Sequence, residues 1–165
     1  MAEKGCRMDG IDLHPATGDE RLQLFALMRG YFSGAQDRTL ERMGLTWPQL
    51  EELYRTRGET RTIRCSGRSS GYLWIERSDR TLHIHGLFVL PHHQGQGIGT
   101  AALKLLEHEF RHEVEFLELG VHESNPRARA LYDRLGFTVT KEMKELGFVV
   151  MRAAVAPRQP GGDGG

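Results

Sequence analysis

Apolar positions in this chain repeat with two different periods, and the change between them divides it. Ile11 and Leu13 alternate with polar neighbours, the spacing of a short strand. Thr17 and Glu20 then form a capping-box pair ahead of RLQLFALMRGYF, which predicts a first helix from about Asp19 to Phe32. Thr46 and Gln49 repeat that signature, Pro48 lies in the first turn, and Trp47, Leu50, Leu53 and Tyr54 make one apolar stripe before Gly58, so a second helix follows. Between the two, SGAQDRTLERMG reads as a polar connection. From Thr60 the period becomes that of strands: TRTIRC, GYLWIER and TLHIHGLFVL, with turns at Gly67 to Ser70 and Ser78 to Arg80, predict an antiparallel meander.

The third of these strands leads into a different kind of segment. Leu87 to Leu106 read LFVLPHHQGQGIGTAALKLL, an apolar strand that ends at Pro91, passes three alternating glycines and becomes an amphipathic helix from about Gly99 to His112. Gly95, Gly97 and Gly99 let a ligand press against the main chain and permit the positive φ of a tight turn. The helix supplies unpaired N–H groups and the positive end of its dipole, so the pattern is that of a cradle for phosphates. EFLELGVH returns as a strand with Leu117, Leu119 and Val121 on one face, and strand, helix, strand in that order implies a parallel crossover. Asn125 caps and Pro126 starts another helix, Gly136 ends it, and two closing strands are expected at Phe137 to about Lys141 and Leu146 to about Ala154. Residues 1–155 read as one domain, and the tail 156–165, APRQPGGDGG, is too rich in Gly and Pro to order itself.

Composition narrows the partners. The 22 basic and 22 acidic side chains of the 165 residues cancel, which removes the global field that a nonspecific nucleic-acid binder or an anionic-membrane binder would use. No run approaches the roughly 18 apolar residues of a membrane span, and MAEKGCRMDG lacks a signal core. Cys6 and Cys65 lie far apart without ligand-like spacing, which suits a reducing cytosol and argues against a disulfide scaffold. The expectation is a cytoplasmic protein.

Two segments together carry a resemblance. Val89, Pro91, Gln94, Gly97 and Gly99 fit V-x-P followed by Q/R-x-x-G-x-G/A, and NPRARALYDRLGF from Asn125 to Phe137 fits an Asn, a helix ending in Tyr, and Leu-Gly-Phe. In both the chain resembles the GNAT superfamily of acetyl-CoA-dependent N-acetyltransferases. The resemblance implies an α/β (α+β) fold: a mixed, mostly antiparallel six- to seven-stranded sheet, about four helices, and a central parallel strand-helix-strand crossover. It implies that the backbone of Leu87, Phe88 and Val89 pairs with the pantetheine arm as another strand would. Gln94, Gly95, Gln96, Gly97, Ile98, Gly99 and Thr100 would offer N–H groups to the pyrophosphate, and Asn125 would bond the arm from the other side. Acetyl-CoA would be the donor substrate, no metal would be needed, and the acceptor would be a small-molecule or peptide amine; a homodimer is left open.

For the chemistry, the N–H of Val89 is the expected oxyanion donor. Tyr132 matches the tyrosine that protonates the departing thiolate; a phenol's ordinary pKa of about 10 leaves it protonated at neutral pH and near a thiol's 8.5 or so. The base is less defined. Where many members carry a glutamate, this chain has His83 on the cofactor strand and Gly120 on the strand before Asn125. His83, or His85 two residues on, is the expected base, directly or through water, with Glu118 and His122 in reserve. Ser33 to Leu45 and Lys141 to Phe148 are the segments expected to shape the acceptor end.

Three other readings compete. His108, Glu109 and His112 spell H-E-x-x-H, but within a charged EHEFRHE run and without a third ligand in G-x-x-H, so a solvated helix end is expected. Gly97, Gly99 and Ala102 fit the dinucleotide fingerprint, with Glu118 near the ribose-binding position, yet PHHQ separates strand from glycines and the meander does not suit a doubly wound sheet. A noncatalytic acetyl-CoA sensor on the same fold is the third.

Overall fold

The computed structural model describes residues 6–31 and 37–156. A seven-stranded sheet in the order β1-β2-β3-β4-β5-β7-β6 separates two layers of helices. Its strands are β1 (Ile11–Pro15), β2 (Glu59–Cys65), β3 (Arg68–Ser78), β4 (Thr81–Val89), β5 (Phe116–His122), β6 (Thr138–Met143) and β7 (Phe148–Ala154). All neighbours are antiparallel except β4 and β5, which are joined through a helix. The helices are α1 (Gly18–Tyr31), α2 (Asp37–Arg42), α3 (Trp47–Thr56), α4 (Ile98–Phe110) and α5 (Pro126–Arg134). No described helix is long and apolar enough to cross a membrane.

Both expected capping boxes form. Thr17 N–H donates to Glu20 Oε2 at 2.8 Å while Glu20 N–H donates to Thr17 Oγ1 at 3.2 Å. Thr46 and Gln49 exchange the same pair of bonds at the start of α3. Glu20 also accepts from the Thr62 hydroxyl at 2.8 Å, which ties α1 to β2. The hydrogen bond from the Thr17 backbone, aided by the Thr62 hydroxyl and Arg64, holds the Glu20 carboxyl below its ordinary pKa.

The two sheet faces bury separate apolar clusters. On one, Leu73, Ile75, Leu82 and Ile84 meet Ile98, Ala102 and Leu106 of α4, with Leu117, Leu119 and Val121 from β5. On the other, Tyr72, Trp74 and Phe88 pack under Leu24 and Met28 of α1, Leu40 of α2, and Leu50 and Tyr54 of α3.

Two expectations are corrected. The connection read as polar contains α2, because Leu40 is a buried anchor for a turn of helix that the surrounding charges conceal; Phe32, the expected end of the first helix, residues 33–36 of that connection and 157–165 of the tail lie outside the described residues. Cys6 and Cys65 form a disulfide, with Cα atoms 5.9 Å apart, where sequence spacing argued against one. Spacing along the chain does not register that the segment before β1 returns to the end of β2, since β1 and β2 pair Ile11 with Cys65. Closing a loop across a separation of 59 residues typically contributes about 2–4 kcal/mol.

Candidate active site

The sheet is open at its centre. The parallel ladder between β4 and β5 runs from Thr81 and Phe116 to Ile84 and Leu119 and stops there. At that point β4 carries a bulge: Ile75 pairs with Ile84 but Trp74 pairs with Gly86, so His85 is the extra residue. The bulge switches the parity of the strand. Before it, Leu82 and Ile84 face α4; after it, Leu87 and Val89 do, while Phe88 joins the opposite cluster. It also bends β4 away from β5, and the fork this leaves has a cavity of about 300 Å³, bordered by Met28, His85, Phe88, Gly120, His122, Asn125, Tyr132 and Phe148 among others.

Main-chain groups along the forked edge follow from register. Leu90 N–H donates to Ser70 O at 2.8 Å, so alternation turns the amides and carbonyls of Gly86 and Phe88 toward β3 and those of Leu87 and Val89 toward the fork. The Phe88 carbonyl crowds Gly71 of β3, where a Cβ would collide with it. Of the three residues expected to pair with an extended ligand, Leu87 and Val89 face it and Phe88 does not. The Val89 carbonyl accepts from Gln94 Nε2 at 3.1 Å, which anchors the glycine turn to the strand end.

The cradle lies at the far end of the same strand. After a 3-10 turn at Pro91–His93, Gly95 and Gly97 adopt φ of +75° and +76°. Gly97 is the N-cap of α4 and supplies no side-chain cap, so the first-turn amides of Ile98, Gly99 and Thr100 have no intrahelical acceptor. A cavity of about 460 Å³ opens there, lined by Gln94, Gly95, Gly97, Ile98, Gly99 and Thr100 and, across it, by Asn125 and Tyr132. Gln96 does not line the cavity: its side chain bonds the His92 carbonyl at 3.2 Å and the Cys6 N–H at 3.3 Å. Sequence reading missed Arg127 and Arg134, which also line the cavity. Arg127 reaches over the turn, so a Cβ at Gly95 would stand 3.3 Å from its Nη2. Their separation of seven residues on one helix was the available signal.

Tyr132 borders both cavities. It is buried in α5, with its ring 5.7 Å from that of Phe137. Asn125 spends its Oδ1 on the Ala128 N–H at 3.1 Å, capping α5 and placing that helix across the mouth of the cradle.

The histidines separate by position. His83 is opposite Glu118 in the ladder and its Nδ1 is 3.2 Å from Glu118 Oε1; Glu118 in turn accepts from Arg152 of β7 at 2.6 and 3.0 Å. This row of three crosses the sheet below the fork, and His83 does not border the fork cavity. His85 does, with its Nε2 2.8 Å from Glu76 Oε2 on β3. His122 also borders it, but its Nδ1 accepts the Ser124 N–H at 3.1 Å, which occupies the lone pair of the neutral ring.

The H-E-x-x-H residues make no metal site. Glu109 is held by Arg61 at 2.6 and 2.8 Å, and His108 and His112 both bond Arg111. Among the described residues no group of three or more His, Cys, Asp or Glu side chains could hold an ion. The two segments expected to shape the acceptor end do meet, through Arg42 Nη1 donating to Glu145 O at 2.6 Å.

A glycine turn at the start of α4, a forked parallel pair of strands and a tyrosine bordering both cavities make up the site. The profile of the acetyltransferase (GNAT) family matches residues 23–137, and the chain belongs to that family. An L-methionine sulfoximine/L-methionine sulfone acetyltransferase of Salmonella typhimurium is 34% identical over 64 residues, 38% of this chain and 37% of that protein, so the match spans well under half of the relative. Among solved structures, the ribosomal-protein-S18-alanine N-acetyltransferase of Escherichia coli superposes with a TM-score of 0.66 over 92% of this chain and 97% of that one, at 17% identity. A GNAT family acetyltransferase from Elizabethkingia anophelis with acetyl-CoA bound does so with a TM-score of 0.62 over 88% and 99%, at 20% identity.

Proposed function

We propose that this N-acetyltransferase holds acetyl-CoA with its diphosphate at the start of α4, its pantetheine arm along Leu87 and Val89, and its thioester in the fork. The observation that carries this reading is the continuity of the open β4 edge with the uncapped N-terminus of α4: one strand offers amide-pairing groups at its middle and anion-binding amides at its end. The cradle suits a diphosphate through its positive-φ glycines, its first-turn amides and Arg127.

Residues on either side of the fork would divide the proton work. His85 takes one proton from the acceptor ammonium, leaving a neutral amine. As the C–N bond forms at the thioester carbonyl, the Val89 N–H stabilises the oxyanion. The C–S bond then breaks, the thiolate takes the Tyr132 proton, and the proton shed by the acylated nitrogen restores Tyr132. The sum is ammonium plus thioester giving amide, thiol and one proton, which His85 releases to water.

The acceptor is read as a primary amine of a small molecule or peptide, approaching from the face of Met28, Phe88 and Phe148. The relatives named above act on an amino-acid analogue and on a protein alanine, so free amino acids and peptide N-termini lead the panel to test. Residues 1–155 are taken as one catalytic domain. Thiol release from acetyl-CoA, screened across amines, together with melting in its presence, tests the proposal. Stabilisation by acetyl-CoA and not by nicotinamide dinucleotides, with turnover on at least one amine, is expected. Stabilisation without turnover on any amine would favour the noncatalytic sensor, and no stabilisation would contradict the site.

A further inference from the structure

We infer that Glu76 is a positioning residue for His85, fixing which ring nitrogen faces the acceptor. This rests on the proposed acetyl transfer and adds a residue that no sequence motif marks. The β3–β4 hairpin turns tightly, Ser78 pairing with Thr81, so regular register places Glu76 opposite His83. That backbone register is kept, but the two side chains take other partners. Glu76 Oε2 is 2.8 Å from His85 Nε2, whereas His83 meets Glu118 instead.

The pair is held on every side. The His85 ring lies against Trp74, centroids 4.7 Å apart, and stacks on His83 at 6.0 Å and 10°. The Trp74 indole N–H donates to the Arg57 carbonyl at 2.8 Å, and the Arg57 guanidinium stands 3.7 Å from Glu76 Oε1. The charged and titratable groups around His85 among the described residues are Glu76 and Arg57 on the β3 side, His83 with Glu118 and Arg152 below, and His122 and Tyr132 across the fork.

A carboxylate only accepts hydrogen bonds, so its contact at Nε2 requires the proton there and leaves the lone pair on Nδ1. That lone pair takes the ammonium proton, and the imidazolium that results is stabilised by Glu76 without any proton passing to the carboxylate. The logic is that of a base oriented by a third group. An ion pair that merely braced the sheet surface would not need to single out the histidine at the fork.

The test combines kinetics with ¹⁵N NMR of the histidine ring, using the full chain and the best amine from the thiol-release screen. Glu76→Gln is expected to lower kcat about 10- to 100-fold, the scale of a misoriented base, with KM for acetyl-CoA changed less than about twofold, because Glu76 does not line the cradle. Glu76→Asp is expected to recover part of the loss. In the wild type the His85 ring should carry its proton on Nε2, and in Glu76→Gln it should become a mixture of tautomers. Unchanged kcat in Glu76→Gln, or a wild-type ring protonated on Nδ1, would overturn the inference. Should Glu76→Gln fail to fold, the wild-type tautomer and Glu76→Asp decide alone. A wild type that turns over no amine defeats the underlying function; a wild type that turns over amines while Glu76→Gln matches it defeats only the role of Glu76.

Discussion

Two histidine–glutamate pairs stand two residues apart on β4, and only one of them faces an opening. His83 and Glu118 sit where β4 and β5 are still laddered, and Arg152 closes the row, so the three side chains brace three strands. His85 and Glu76 sit where the ladder has ended. The side chains have the same chemistry; the backbone decides which pair can meet a substrate. One extra residue in the strand converts a sheet-surface histidine into one at the edge of a cavity.

That contrast can be attacked from several directions. Tyr132→Phe removes the acid across the fork and should lower turnover about 100- to 1,000-fold while acetyl-CoA still raises the melting temperature; an unchanged rate would take the chemistry away from the fork. Gly86→Ala strikes the bulge itself, because a Cβ there stands 3.0 Å from Phe88 Cε2. Repacking should cost about 1–2 kcal/mol in chemical denaturation, and turnover should fall about tenfold as His85 shifts; stability lost with full activity would uncouple the bulge from catalysis. Glu118→Gln should show the converse, about 1 kcal/mol of stability lost with activity within threefold or so, and a larger kinetic loss would move the base toward His83.

The smallest effect is a control far from the fork. The Glu20 carboxyl is held below its ordinary pKa, chiefly by the Thr17 backbone hydrogen bond. Its contribution is therefore present above the unfolded glutamate value and is lost as pH falls through the lower folded value. Glu20→Gln should cost less than about 1 kcal/mol near pH 7, since glutamine also closes a capping box, and the difference should shrink below the unfolded glutamate value and vanish once pH has fallen past the lower folded one. A gap in melting temperature that persisted in acid would contradict that assignment.

The parts of the molecule legible in the sequence are those set by local rules. Both capping boxes, the Asn125 cap and the glycine turn depend on residues within a few positions of one another, the parallel crossover follows from the order strand, helix, strand, and all are present as read. What was not legible depends on contacts across the fold. The bulge at His85 leaves HIHGLFV an ordinary alternating strand on paper, since Gly86 has no side chain to reveal the change of parity. Glu76 is chosen by that bulge and not by hairpin counting. The Cys6–Cys65 bond requires knowing that β1 and β2 are neighbours, and Arg127 requires knowing that α5 crosses the glycine turn.

The most direct test of the fork as the place of acetyl transfer is the rate of thiol release from acetyl-CoA by His85→Ala and His83→Ala measured side by side with the same amine. The account predicts that His85→Ala loses about 100-fold or more in kcat with acetyl-CoA stabilisation intact, while His83→Ala stays within about threefold of wild type and loses stability instead. Equal rates for the two, or the larger loss in His83→Ala, would contradict it.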